Sequence, residues 1–131
     1  MRDHHASCSC GQLTLVARGD PIRVAMCHCL ACQRRTGSTY GAQARFATKD
    51  VEVRGRSTVW VRTGDEGTQM HFHFCPDCGA TVYYSKPEDD GFRAVPVGAF
   101  ADPTFPPPVH SVYEERRHPW VSMPEGAERV W

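Results

Sequence analysis

The chain has 131 residues, with 15 Lys and Arg balancing 15 Asp and Glu to a net charge of zero. That balance argues against a sequence-independent nucleic-acid binder, which needs an excess of cations, and against a membrane-surface role. No apolar run approaches the roughly 18 residues of a spanning helix, so neither nucleic acid nor membrane is expected as a partner.

The length fits one compact domain over residues 1–131. Met1 to Ser9 lacks the apolar core of a signal peptide, so the expected compartment is cytoplasmic. Ten prolines and eleven glycines imply many turns and few long helices. With 40% hydrophobic residues the core is modest, and a metal cross-link would support it.

Taken in chain order, the pattern is mainly β. Gln12 to Arg18 alternates, with Leu13, Leu15 and Ala17 on one side. Ile22, Val24 and Met26 alternate and lead the chain to Cys27. One short helix is expected around Leu30 to Arg35, closing at Gly37. Tyr40, Ala42, Ala44 and Phe46 form the next alternating set. Val51 to Arg54, Ser57 to Arg62, Gln69 to Phe74 and Ala80 to Tyr84 follow as strands. Phe92 to Phe100 is another, with Pro96 marking an edge or a break. Pro103 to Pro108 is a stiff connection, after which Val112, Tyr113, Trp120 and Val121 are expected to pack back.

The seven cysteines fall into tight groups: Cys8/Cys10, Cys27/Cys29/Cys32 and Cys75/Cys78. An odd number cannot pair fully as disulfides, and the cytosol keeps thiols reduced. A disulfide within Cys-x-Cys would be strained. Clustering favours metal binding over redox-active thiols or inert core cysteines. Cys75-Pro76-Asp77-Cys78-Gly79 has the residue types of a zinc knuckle, with Gly79 permitting the turn. A closed tetrahedral site needs four ligands, and Cys8-Ser9-Cys10-Gly11 supplies a second glycine-followed pair. The count then divides as four plus three.

Four thiolates saturate a zinc ion, whereas three leave a position open for water or substrate. A zinc with three thiolates is a weak Lewis acid and suits a substrate thiol better than hydrolysis. The alternative is that both groups are structural, with His28, His71 or His73 completing the second. His28 would point away from its flanking ligands in an extended backbone, while His71, His73 and Cys75 would share one strand face. Beside the three cysteines stand Gln33, Arg34, Arg35, Thr36, Gly37 and Ser38. Arg34, Arg35, Gly37 and Ser38 are candidates to bind a substrate's carboxylates. The other reading of this stretch is a solvated turn whose arginines offset thiolate charge.

Three stretches together resemble one family: Cys8-Ser9-Cys10-Gly11, the run from Cys27-His28-Cys29 through Cys32-Gln33-Arg34-Arg35-Thr36-Gly37-Ser38, and Phe74-Cys75-Pro76-Asp77-Cys78-Gly79. They look like the glutathione-dependent formaldehyde-activating enzyme family, which shares its domain with centromere protein V. The resemblance covers roughly Ser7 to Ser122 and includes Pro119-Trp120. It implies a β-tent (Mss-four-like) fold of several coiled antiparallel sheets. It also implies a structural zinc on Cys8, Cys10, Cys75 and Cys78 and a catalytic zinc on Cys27, Cys29 and Cys32. The implied activity is addition of glutathione to formaldehyde to give S-hydroxymethylglutathione, a carbon–sulfur lyase reaction. The departure is length, since longer members carry extra segments that shape a glutathione pocket. Because one scaffold hosts several functions, a zinc-stabilised protein-binding module and a thiol or metal sensor stand beside the enzyme reading.

Overall fold

The computed structural model describes residues 2–87 and 91–131. Its first strands are β1 (Asp3–Ser7), β2 (Thr14–Arg18) and β3 (Arg23–Cys27), and the helix α1 (Leu30–Thr36) follows. Then come β4 (Gly41–Ala47), β5 (Val51–Arg54), β6 (Thr58–Thr63), β7 (Gln69–Phe74), β8 (Thr81–Ser85) and β9 (Phe92–Pro96). Two short strands, β10 (His110–Val112) and β11 (Glu128–Arg129), complete the set. Short 3-10 turns occupy Thr48–Asp50, Val97–Phe100 and Glu114–Arg116. The class is mainly β, as the alternation predicts.

The strands form two sheets, one ordered β1-β2-β5 and the other β11-β10-β3-β4-β9-β8-β7-β6. Leu13, Leu15 and Ala17 point to one side of the small sheet and are fully buried. They meet Val24, Ala44, Phe46, Val82 and Val95 from the large sheet, and this joint cluster is the core. Each large aliphatic or aromatic side chain buried there contributes roughly 1.5–3 kcal/mol. A second, smaller cluster of Phe72, Tyr84 and Ala94 lies farther along the large sheet.

Three features depart from the sequence pattern, and one settles an alternative it left open. Asp3–Ser7 reads as polar yet forms β1, because His4 serves as an aromatic core residue. Its ring lies 5.0 Å from Phe105, 5.8 Å from Phe100 and 5.9 Å from Phe46. Of the edge or break expected at Pro96 the structure has the break: β9 lies between β4 and β8, ends at Pro96, and the chain then turns into the 3-10 segment. Pairing is not wholly antiparallel, because β10 runs parallel to both β3 and β11. In the last segment Val121 is buried and Val112 half-buried, but Tyr113 and Trp120 are exposed. The expected packing of those two aromatics is therefore not found. Ser111 and Glu114 are buried there instead. Among the described residues no helix is long and apolar enough to cross a membrane.

Candidate functional site

Two hairpin turns bring the first cysteine group together. Cys8 and Cys10 lie between β1 and β2, and Cys75 and Cys78 between β7 and β8. The two turns close alike. The Cys8 N–H donates to the Leu13 carbonyl and the Cys75 N–H to the Ala80 carbonyl, while Gly11 and Gly79 donate back to the Cys8 and Cys75 carbonyls. Gly11 and Gly79 hold φ of 87° and 80°, a region that favours glycine. All four sulfurs lie within 4.8 Å of one another and could hold a metal ion. Cys10 Sγ is 3.7 Å from Cys8 Sγ and 3.6 Å from Cys75 Sγ. Because the pairs come from different sheets, the group ties the sheets together.

Hydrogen-bond donors surround these sulfurs. The Leu13 N–H donates to Cys8 Sγ at 3.3 Å, and the Asp77 N–H to Cys75 Sγ at 3.4 Å. Gln12 Nε2 donates to Cys75 Sγ at 2.9 Å, a contact that no sequence spacing announces. Desolvation pushes the Cys75 thiol up, but the Gln12 donor and the backbone N–H groups outweigh it and bring the thiol down to about 6. The chain has thus arranged hydrogen-bond donors around the sulfurs that favour thiolate charge.

The second group is local. Cys27 ends β3, Cys29 caps α1 by accepting the Cys32 N–H at 3.3 Å, and Cys32 lies in the first helical turn. The three sulfurs lie within 4.8 Å of one another, and among the described residues no histidine, carboxylate or fourth cysteine joins them. Hydrogen bonds from Cys27 and Cys32 hold the Cys29 thiol down at about 2, and the Arg62 guanidinium acts in the same direction. Cys27 is pushed up, chiefly because it is the donor to Cys29.

The histidines considered as fourth ligands have other roles. His28 is fully buried, and its Nε2 lies 2.8 Å from Ser111 Oγ and 3.3 Å from Glu114 Oε2. His73 stacks on Tyr83 at 4.2 Å and meets Ser57 Oγ through Nδ1 at 3.1 Å. His71 joins neither cysteine group. Behind the Cys27–Cys29 turn lies a polar network that the sequence does not announce. The Ser111 hydroxyl donates to Glu114, whose other oxygen accepts Arg129 Nε at 2.8 Å with Arg117 Nε at 3.4 Å. Gln33 secures the helix by donating to the carbonyls of His28 at 2.9 Å and Arg116 at 3.2 Å.

Cys29 opens onto a cleft of about 720 Å³ whose walls include Arg62, Met70, Tyr113 and Arg116. A neighbouring hollow of about 500 Å³ is lined by Ala31, Arg34, Arg35, Trp60 and Arg62. Arg34 and Arg35 therefore stand beside the cleft. Arg35 is also engaged beneath the helix, its guanidinium 5.3 Å from the Phe72 ring and 5.4 Å from Tyr84. Gly37 and Ser38 lie at the other end of α1 and line neither hollow. Gly37 caps the helix at φ 69°, and the Ser38 N–H bonds Thr36 Oγ1. Both residues thus take part in ending the helix. The hollows are lined instead by residues that include Trp60, Arg62, Tyr113 and Arg116, brought in by β6 and the turn after β10. Tyr113 holds φ 55°, a left-handed conformation that costs about 1–3 kcal/mol and is found at binding sites.

A family model described as glutathione-dependent formaldehyde-activating enzyme matches residues 3–116, a span that contains both cysteine groups. The chain belongs to that family. The membership agrees with all seven cysteines standing in two groups of sulfurs. The fold is also similar to a crystal structure of a Rhodobacter sphaeroides protein, at 20% identity and a TM-score of 0.55, covering 72% of this chain and 85% of that one. At that identity the likeness speaks for the fold alone. Among curated proteins none matches.

Proposed function

We propose that the protein joins a small thiol, glutathione or a close relative, to formaldehyde or another small carbonyl, a carbon–sulfur lyase-type reaction. The observation that carries this is the open set of three sulfurs at Cys27, Cys29 and Cys32, facing a cleft lined by arginines. Both groups suit zinc. Zinc–sulfur bonds of about 2.3 Å set tetrahedral sulfurs about 3.8 Å apart. The 3.6 and 3.7 Å separations in the four-cysteine group match. Cys8, Cys10, Cys75 and Cys78 would hold a structural ion with all four sulfurs, and Cys27, Cys29 and Cys32 would hold a second with three. Zinc held by Cys27, Cys29 and Cys32 would supply an open position that favours the deprotonated form of a thiol.

The chain's own residues do the rest. Arg62, Arg116 and Arg34 take the carboxylates of the thiol, and Trp60 and Tyr113 flank its backbone. The sulfur forms a bond to the carbonyl carbon as the π pair moves to oxygen. The proton given up by the thiol balances the one taken by oxygen, so no redox cofactor is needed. Seven free cysteines suit a reducing, cytoplasmic compartment.

The test loads the protein with cobalt at both sites and adds glutathione. Altered ligand-field bands and a stronger sulfur-to-cobalt charge-transfer band are expected, together with faster S-hydroxymethylglutathione formation by exchange NMR. An unchanged spectrum at millimolar glutathione would refute the open site.

A further inference from the structure

Among the described residues the large sheet ends at β6, whose Thr58–Thr63 pairs only with β7. The other side of β6 carries a row of backbone N–H and C=O groups with no strand of the described residues beside it. At six residues it is the longest of the edge strands, against five in β1, four in β5 and two in β11. Native edges are guarded by proline, bulges, lysine or short length. β6 has no proline, bulge or lysine and carries one charged residue, Arg62 near its end, while Val59, Trp60 and Val61 stand 42%, 52% and 44% exposed in succession.

Charge is also ordered along this strand. Arg54 and Arg56 precede it, and Asp65 and Glu66 follow it in the β6–β7 turn. The two arginines pair within the chain to Glu52 and Asp77, yet their side chains remain 78% and 67% exposed. An edge that is basic at one end and acidic at the other complements itself when two copies run antiparallel about a two-fold axis.

We propose that β6 is a self-association edge, joining two copies of this chain by antiparallel β6–β6 pairing into one continuous sheet. The pairing satisfies the free edge groups of both strands. It sets the basic end of each strand beside the acidic turn of the other. A two-fold pairing places either Trp60 or Val61 opposite its own copy. Since side chains alternate, both registers keep Trp60 and Arg62 of the two copies on one face. That face carries the hollow between α1 and β6, so Trp60 and Arg62 of the partner subunit border the cleft beside Cys29. This inference stands apart from the proposed reaction, and its test does not measure turnover.

Sedimentation equilibrium of the metal-loaded chain is expected to give twice the 14.7 kDa chain mass at micromolar concentration. Val59→Lys/Val61→Lys sets like charges opposite one another in both registers and touches only exposed positions. It is expected to give a monomer with an unchanged circular dichroism spectrum. The charge argument has its own arm. Asp65→Lys/Glu66→Lys and Arg54→Glu/Arg56→Glu should each weaken association about ten-fold. An equimolar mixture of the two variants should restore it as a heterodimer. A wild-type chain that stays monomeric overturns the proposal and leaves the edge to a strand from a different protein. A dimer that survives Val59→Lys/Val61→Lys, or charge variants that fail to recover on mixing, overturns it equally.

Discussion

Glu114→Gln tests whether the C-terminal segment holds the three-cysteine turn in place. The Glu114 side chain is fully buried, and its carboxylate meets Ser111, Arg129, Arg117 and His28. Glutamine keeps the shape but removes the charge and turns a donor toward cations. Breaking a buried pair costs about 3–5 kcal/mol. Arg129 and Arg117 are 44% and 22% exposed and can turn partly to water, which sets the estimate near the low end, about 3 kcal/mol. For a domain of this size that is a fall of roughly 10 °C in melting temperature. Melting should be followed by circular dichroism on protein of equal metal content. A double-mutant cycle with Arg129→Gln should show that the pair of changes costs less than the sum of the singles. A shift of less than about 2 °C, or simple additivity, would refute the reasoning.

The same pair of proteins gives a pH prediction. Burial pushes the Glu114 carboxyl up, but the Ser111 hydroxyl and Arg129 outweigh it and hold it below its ordinary 4.5. Its stabilisation is therefore present above pH 4.5 and lost as pH falls through the lower folded value. The gap in melting temperature between wild type and Glu114→Gln should persist at pH 5 and close only under stronger acid; a gap already closed at pH 5 would contradict this. Cys78→Ser should halve the zinc content and destabilise the fold, since Cys10 and Cys75 are 65 positions apart and cross-linking a loop that long is worth about 4 kcal/mol. A soluble variant with unchanged metal and melting temperature would argue against that site. Arg62→Ala/Arg116→Ala should weaken glutathione binding about ten-fold or more in calorimetry with zinc retained, because each charge-assisted hydrogen bond is worth roughly 1.5–3 kcal/mol. Unaltered binding would remove those arginines from substrate recognition.

What the sequence reveals is what depends on neighbours along the chain. The strands at Val51–Arg54 and Gln69–Phe74 begin and end where alternation places them. The grouping of cysteines is legible because a metal site needs pairs at short spacing and a count of four. Helix α1 is legible from Gly37, which supplies the left-handed cap. What stays hidden depends on distant partners. His4 looks polar until Phe46, Phe100 and Phe105 surround it. Ser111 and His28 are 83 positions apart and meet only because β10 pairs parallel to β3. Arg62 faces Cys29 only after β6 has been laid at the end of an eight-stranded sheet.

Helix α1 carries Cys32 and is capped by Cys29, yet none of its residues is buried. Seven residues with no apolar anchor would not persist as a helix in water, where isolated helices shorter than about 12 residues are marginal. The helix is held by polar ties instead. Cys29 caps its start, Arg35 lies over the rings of Phe72 and Tyr84, and Gln33 binds His28, Arg116 and His118. Two of the three residues that Gln33 binds belong to the segment after β10. The geometry at Cys29 and Cys32 therefore depends on a stretch more than 70 positions away in sequence. A change there, such as Glu114→Gln, is expected to act on the cysteine cluster without touching it.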